Sequence, residues 1–397
     1  MAASFFISLL VIYFRRPDSF YNPQFWAEEG TRFFADAYHS GFKSLFNTCN
    51  GYFHLFPRLL ACTLKLIRIP YELFPSIFCY SWLFILFLIL LYIWKRLPFN
   101  STQKFFIALT VTFIPIQSEI IMNLTNIQWI LVLFPIIIFS SSDETTNKKW
   151  FWIDAMVLIL AGLTGPNFTV MLPLFFMLMY KSRKEFSFKN KQSILLILSI
   201  ICGIVVAISL FNYGSVDRTE GQFTIFNSGF IKYFYVQYAF LFLGLYAEQS
   251  SLPIMIIVTL ILIAIMLFVL LKLLGNKQNT FGRISFMCSI LFFMVTAVAY
   301  RYVPQALSPY YCYVRNFYLP ALTFVWAIIT VLPQRKWATI ALTLLMFLFI
   351  TETICFAGRT YFKDFNWKEN AKQITTSDTL SIPINPSGWF IHIDNRK

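Results

Sequence analysis

Long apolar runs alternate with short polar segments along most of this chain. A stretch of about 20 apolar residues can cross a bilayer as a helix. Runs close to that length lie at about 73–94, 104–122, 192–212, 253–274, 284–300, 316–334 and 337–356. Shorter runs, which need tilt or a protein-lined cavity to span the same thickness, lie at about 2–14, 127–142, 151–164 and 168–180. The pattern predicts about 11 transmembrane helices.

Composition excludes a soluble fold. Of the 397 residues, 58% are hydrophobic and only 13% are charged, against roughly a quarter charged in soluble domains. A net charge of +14 would suit a nucleic-acid partner, but the basic residues lie in short clusters between the apolar runs. We therefore attribute them to membrane topology and expect no nucleic acid to bind. The predicted fold class is an all-α polytopic membrane protein.

Five basic clusters set the predicted orientation, because Lys and Arg concentrate in cytoplasmic loops. The clusters lie around 95–104, 148–149, 181–191, 272–283 and 335–336. Placing all five inside requires an outside C-terminus. The chain then divides into a membrane domain, 1–356, and a small extracytoplasmic cap, 357–397. The first extracytoplasmic loop, about 15–72, is the largest polar insertion.

That first loop carries two adjacent carboxylates, Glu28 and Glu29, within the segment Trp26–Asp36. An apolar setting raises the proton affinity of a carboxylate, and a nearby arginine opposes that rise. One of the two could therefore act as a general base toward a hydroxyl nucleophile. The alternative interpretation is a solvated acidic helix face balanced by Arg32.

The segment Glu28–Ala35, which reads EEGTRFFA, resembles the modified acidic motif of GT-C superfamily glycosyltransferases. Members of that superfamily are polytopic, carry the motif directly after the first membrane helix and use lipid-phosphate-linked sugars. The chain resembles in particular bacterial inner-membrane enzymes that modify O-antigen or other envelope glycans, such as lipopolysaccharide, with sugar from a polyprenyl phosphate. Aspartate is commoner at the first acidic position, where this chain has Glu28.

The resemblance implies a GT-C-like catalytic domain that transfers a sugar, with inversion, from a polyprenyl-phosphate donor to an extracytoplasmic glycan. Glu28 is then the base. Glu29 either orients the acceptor or binds Mg²⁺ or Mn²⁺, although the mechanism requires no cofactor. The expected partners are the lipid-linked sugar, the glycan acceptor and membrane lipids.

Arginine, amide and aromatic side chains in the outside loops complete the predicted site. Arg58, Arg301 and Arg315 are the candidates for binding the donor phosphate, since a guanidinium presents a fork to phosphate oxygens. Anchoring to lipid headgroups is the competing role. The predicted substrate contacts are Trp26, Arg32, Tyr52, His54, Asn126, Gln128, Trp129 and Tyr302. Sugar recognition needs amides beside flat aromatic surfaces, while hydrogen bonding between helices competes for the same amides.

Two other functions fit parts of the pattern. An O-antigen polymerase or ligase also couples lipid-linked sugars outside the membrane and would use the arginine-rich outside loops. A lipid-linked oligosaccharide flippase or another transporter predicts charges within several central helices and a two-fold repeat, and neither is evident here. The early acidic motif favours monosaccharide transfer.

Overall fold

The computed structural model describes residues 1–115, 119–141, 148–181, 190–214, 228–244, 246–299, 314–355 and 362–396. Within these ranges the regular structure is helical apart from one two-stranded antiparallel hairpin near the C-terminus. Five of the helices described are long and apolar enough to cross a membrane. The chain is thus an all-α, multi-pass membrane protein, as its sequence predicts.

The α-helices are α1 (Ala2–Arg15), α2 (Asp18–Tyr21), α3 (Ala35–Ser40), α4 (Leu55–Leu66), α5 (Phe74–Arg96), α6 (Ser101–Phe113), α7 (Gln128–Leu131), α8 (Leu133–Ile138), α9 (Lys148–Thr164), α10 (Asn167–Val170), α11 (Leu172–Lys181), α12 (Lys191–Tyr213), α13 (Ser228–Leu243), α14 (Tyr246–Gln249), α15 (Leu252–Gly275), α16 (Thr280–Ala299), α17 (Tyr318–Val331), α18 (Lys336–Cys355) and α19 (Trp367–Lys372). A π-helix covers Glu29–Phe34, and 3₁₀ turns cover Gly41–Phe46, Tyr71–Leu73 and Val314–Phe317. The hairpin strands are β1 (Thr379–Ile384) and β2 (Trp389–Asp394).

The membrane-length helices are α5 with the 3₁₀ turn before it, α12, α15, α16 and α18. Two predicted spans are shorter than their apolar runs suggest. Helix α6 ends at Phe113 and α17 ends at Val331, and the residue after each helix is extended, with ψ of 123° and 136°. Pro115 and Pro333 follow, and the residue before a proline is driven out of the helical region. The count of 11 crossings stays a prediction.

Hydrogen bonds between helices gather several of the basic loops at one end of the bundle. The Gln103 side chain donates to the carbonyl of Ile329 at 3.4 Å, and Asn279 donates to the carbonyl of Thr330 at 3.3 Å. The basic residues next to these contacts are Lys95, Lys104, Lys277, Arg335 and Lys336. Residues of three of the five basic clusters therefore lie at one end of the bundle, and the side of the membrane that this end faces stays a prediction.

A buried ion pair joins α5 to α9 near the same end. Arg96 Nη2 lies 2.9 Å from Asp154 Oδ2, and both side chains are almost fully buried. The Tyr92 hydroxyl donates to the other Asp154 oxygen at 2.8 Å, and Arg96 also donates to Ser141. Charges are retained at such depth when they are paired and hydrogen-bonded. The pair therefore fixes the register of α5 against α9.

The C-terminal segment 362–396, which we call the tail, packs on the first loop. Asn385 pairs with the backbone of the loop on both sides of Trp26: its carbonyl accepts the N–H of Ala27 at 2.6 Å, and its own N–H donates to the carbonyl of Phe25 at 3.3 Å. The Phe362 ring stacks on the Trp26 indole at 4.7 Å between centroids. The tail is therefore a folded cap whose contacts lie on the carboxylate-bearing part of the loop.

Gly30 leaves no room for a side chain beneath the hairpin. A Cβ there would lie 2.6 Å from Ile391 Cδ1 and 2.8 Å from Ile384 Cδ1. We expect Gly30→Val to lower the free energy of unfolding by about 1–3 kcal/mol, because overpacking forces the hairpin away from the loop. Thermal unfolding of purified protein in detergent measures the effect. Gly275→Val is the matched control, since no atom lies within 4 Å of a Cβ at that position; equal losses in both variants would contradict the tight packing.

Candidate functional site

The two adjacent glutamates occupy different environments. Glu29 begins the π-helix and is only 2% exposed. Its Oε2 accepts the backbone N–H of Trp26 at 2.8 Å, and its Oε1 accepts the N–H of Leu124. Burial raises the pKa of Glu29 to about 7, although those hydrogen bonds and the charge of Arg16 oppose the rise. Glu29 thus ties the first loop to the segment that follows α6.

Glu28 is half-buried and, among the residues described, has no hydrogen-bond or ion-pair partner. Because the Glu29 side chain points into the protein, the Glu28 side chain lies on the more exposed side of the first turn of the π-helix. Burial raises the pKa of the Tyr52 phenol to about 12, and the negative charge of Glu28 adds to the rise. Glu28 and Tyr52 therefore lie within electrostatic reach. The structure therefore places an engaged carboxylate beside one whose side chain has no partner in the described part of the chain.

Arg58, near the start of α4, is completely buried. Its Nη1 lies 2.6 Å from Asp36 Oδ2, and its Cζ lies 5.6 Å from the Phe33 ring centroid. Its Nε and Nη2 are buried and have no hydrogen-bond partner in the described part of the chain. A guanidinium with unsatisfied buried N–H groups is prepared to receive an acceptor oxygen.

His54 lies one turn before Arg58, in the left-handed conformation with φ of 52°. Its ring lies between Tyr52, 4.2 Å away, and Phe33, 5.0 Å away. Burial first, and then the charge of Arg58, lowers the pKa of His54 to about 3, so the ring is neutral near pH 7. The Cys49 carbonyl lies near the ring, but neither ring nitrogen completes a hydrogen bond within the described residues.

Gln128 completes this group from α7. Its Nε2 donates to the Tyr52 hydroxyl at 3.3 Å, and its Oε1 is buried without a partner among the described residues. Gly165 packs directly against the Gln128 side chain, where a Cβ would clash. We call Tyr52, His54, Arg58 and Gln128 the polar cluster.

Unsatisfied buried polar atoms are concentrated in the polar cluster. Such atoms are rare in native proteins, because each costs about 1–3 kcal/mol when it lacks a partner. Nitrogens of Arg58 and His54 and an oxygen of Gln128 contribute five of them. The group combines charged donors, neutral donors and an acceptor, which is the chemistry that a phosphorylated sugar needs.

Arg315 lies on the 3₁₀ turn before α17 and pairs with Glu119 at 3.0 Å. Burial raises the pKa of Glu119, and Arg315 opposes the rise. The Glu119 carbonyl accepts the side-chain amides of Asn123 and Asn126, at 2.6 and 2.8 Å. Asn126 therefore holds the Glu119 turn, and Arg315 is partly exposed beside it.

The other predicted residues have mixed placements. Trp26 stacks on the tail, Arg32 is exposed on the π-helix, and Trp129 is buried with an indole nitrogen that lacks a partner within the described ranges. Arg301 and Tyr302 lie outside the described residues. Asp36 was missed as a partner of Arg58: the two are 22 positions apart, and no local pattern signals their pairing.

The described residues do not fit a divalent cation at Glu29. Both of its oxygens already accept backbone N–H groups, and no group of three His, Cys, Asp or Glu side chains in the described ranges could hold a metal ion. We therefore derive no step through a metal.

Comparisons with known proteins leave the site to be interpreted from its own geometry. No family model, curated protein or solved structure matches this chain.

The buried Glu29 predicts a pH dependence of stability. The pKa of Glu29 is about 7 in the folded chain and lies above the ordinary value of 4.5. The folded chain therefore holds the proton more tightly than the unfolded chain. The resulting contribution to the free energy of unfolding is complete below about pH 4.5 and is lost as the pH rises through 7. We expect the difference in unfolding free energy between wild type and Glu29→Gln to change by about 3 kcal/mol over that range. Thermal unfolding at several pH values measures it.

Glu369→Gln is the control for that titration, because Glu369 forms an exposed ion pair with Lys372. It should keep the wild-type pH profile. A Glu29→Gln profile parallel to wild type would contradict the burial of a titrating carboxyl at this position.

Proposed function

We propose that this protein is an inverting, GT-C type glycosyltransferase, which moves a sugar from a polyprenyl-phosphate donor to an extracytoplasmic glycan such as O-antigen. One observation carries the proposal. An available carboxylate, Glu28, lies within electrostatic reach of a cluster whose buried arginine keeps two N–H groups without a partner among the described residues. A base and an anion-binding group are the two components that displacement of a lipid phosphate requires.

Glu28 acts as the general base in this scheme. It takes the proton of an acceptor hydroxyl as that oxygen attacks the anomeric carbon of the donor sugar. The bond from the anomeric carbon to the phosphate oxygen breaks, and the electron pair leaves with the polyprenyl phosphate. The proton ends on Glu28 and then passes to water. Attack opposite the leaving group inverts the anomeric centre.

Arg58 stabilises the leaving phosphate. Its Nε and Nη2 donate to the phosphate oxygens, while the ion pair between its Nη1 and Asp36 fixes the plane of the guanidinium. Preorganised donors of this kind stabilise developing charge without reorganising during the reaction. Arg315 and Arg301 are further candidates for the phosphate.

The neutral members of the polar cluster bind the sugar. His54 and Gln128 each offer polar atoms that have no partner among the described residues, and Tyr52 adds a hydroxyl and a flat ring. Hydroxyl groups of a sugar both donate and accept, so they match these side chains. Trp26, Arg32, Asn126, Trp129 and Tyr302 complete the proposed substrate contacts.

We assign the site to the extracytoplasmic side of a bacterial inner membrane. The basic residues around Gln103, Asn279 and Thr330 lie at one end of the bundle, and basic loops face the cytoplasm by the usual bias. With that orientation, the first loop and the tail lie on the opposite side, where envelope glycans are modified.

Glu28→Gln tests the base directly. We expect turnover to fall about 100-fold or more, because removing a general base removes that part of the acceleration, while binding of the donor persists. Transfer from a panel of polyprenyl-phosphate monosaccharides to envelope glycan acceptors measures it in purified full-length protein. Glu72→Gln, in the same loop, is the control. Full turnover by Glu28→Gln would remove the base assignment, and no transfer by wild type from any donor would contradict the proposed activity.

Arg58→Lys tests the phosphate contact. The substitution keeps a positive charge that can pair with Asp36. Lys cannot reproduce the fork of Nε and Nη2, so inhibition by free polyprenyl phosphate should weaken about 10- to 100-fold. Arg68→Lys, on the exposed turn after α4, should leave the inhibition constant at the wild-type value. An unchanged constant in Arg58→Lys would exclude Arg58 from the phosphate site.

A further inference from the structure

A polar stripe leads away from Glu28 along the helix that follows it. Glu28, Arg32, Asp36 and His39 are spaced by four, four and three residues, the spacing that places side chains on one helix face. All four are exposed or half-buried, whereas Glu29, Gly30, Phe33, Phe34, Ala35 and Ala37 between them are buried.

The far end of this stripe opens into a groove. His39 lines it together with the hairpin residues Thr379, Ser381, His392 and Asp394, and its volume is about 570 Å³. The paired positions Ser381 with His392 and Thr379 with Asp394 lie opposite each other across the two strands. The groove and the stripe meet at His39, so one continuous polar surface joins the hairpin to Glu28.

An aromatic platform borders the groove. Phe390, 44% exposed, lies nearly parallel to the neighbouring His392 ring, with an angle of 22° and 6.4 Å between centroids. The buried isoleucines of both strands face the first loop instead, so the platform belongs to the outer face of the hairpin.

The side chains that line the groove favour a sugar chain over an anionic ligand. Hydroxyl, imidazole and carboxylate groups line the groove together with Leu380 and Ile393. The guanidinium of Arg396 lies beside this lining but is paired with the Asp394 carboxylate at 3.2 Å. An anionic lipid headgroup or a nucleic acid would require a basic lining. A sugar chain offers hydroxyls for the polar side chains and apolar ring faces for the aromatic platform.

We propose that the groove and the stripe bind the acceptor glycan: the sugars that do not react lie on the hairpin, and the chain runs along Asp36 and Arg32 so that its terminal hydroxyl reaches Glu28. This proposal rests on the proposed transferase function and assigns its acceptor as an extended oligosaccharide. It also gives the tail a role in binding.

Binding of oligosaccharide fragments released from the envelope glycan tests the groove. Full-length protein in nanodiscs is titrated with fragments of defined length, and binding is followed by calorimetry. Phe390→Ala and His392→Gln should each weaken the binding of long fragments by about 3- to 10-fold, as expected for the loss of one stacking surface. Phe46→Ala, an exposed aromatic in the first loop outside the groove, should bind like wild type.

Comparing a long acceptor with a single-sugar acceptor distinguishes binding in the groove from catalysis at Glu28. In transfer assays Phe390→Ala should raise KM for a long acceptor and leave kcat unchanged, with no effect on a single-sugar acceptor. Glu28→Gln should lower kcat for the long acceptor and for the single-sugar acceptor alike. Equal binding by Phe390→Ala and Phe46→Ala, or no binding by wild type, would overturn the acceptor groove. An absence of transfer by wild type together with groove-dependent binding would instead overturn only the proposed transferase function.

Discussion

The candidate site depends on the hydrogen bonds that hold the buried Glu29 carboxylate. Its carboxylate joins the backbone N–H groups of Trp26 and Leu124, which are almost 100 positions apart. A buried carboxylate is retained only where such donors offset its desolvation. The tail completes the arrangement from the other side, because Asn385 pairs with the backbone beside Trp26. With Glu29 and the loop backbone held, the Glu28 side chain keeps no partner within the described ranges, so two adjacent glutamates lie in different environments.

Periodicity and composition predicted the helical membrane fold, because apolar length is a local property of the chain. They overestimated the length of the helix around 104–122, where Pro115 ends the helix inside an apolar run. They also overestimated the one around 316–334, which a 3₁₀ turn precedes and which ends two residues before Pro333. Tyr52, His54, Arg58 and Gln128 were candidates from the sequence, and the structure brings these four together. Their role in binding a substrate, and that of Glu28 as a base, stay predictions. The pairing of Arg58 with Asp36, and that of Glu29 with a backbone N–H far along the chain, have no local signal, since tertiary packing creates both.

The charges of the site are separated in a way that suits a single displacement. Arg58 is fully buried and paired with Asp36, so its remaining N–H groups favour a phosphate oxygen without leaving a lone buried charge. Glu28 is half-buried and lies within electrostatic reach of the cluster, at the start of the polar stripe along which we place the acceptor. We therefore propose that Glu28 acts on the attacking hydroxyl and Arg58 on the leaving phosphate, with the anomeric carbon between them.

The anomeric configuration of the product distinguishes a direct displacement from a two-step one. Nuclear magnetic resonance of the product formed by purified wild-type protein, from a donor of defined anomer, reads the outcome in one measurement. If Glu28 serves as a base in a direct displacement, the transferred sugar has the configuration opposite to that of the donor. Retention of the donor configuration would contradict the account, because it would require a covalent intermediate or a second displacement in place of direct attack by the acceptor.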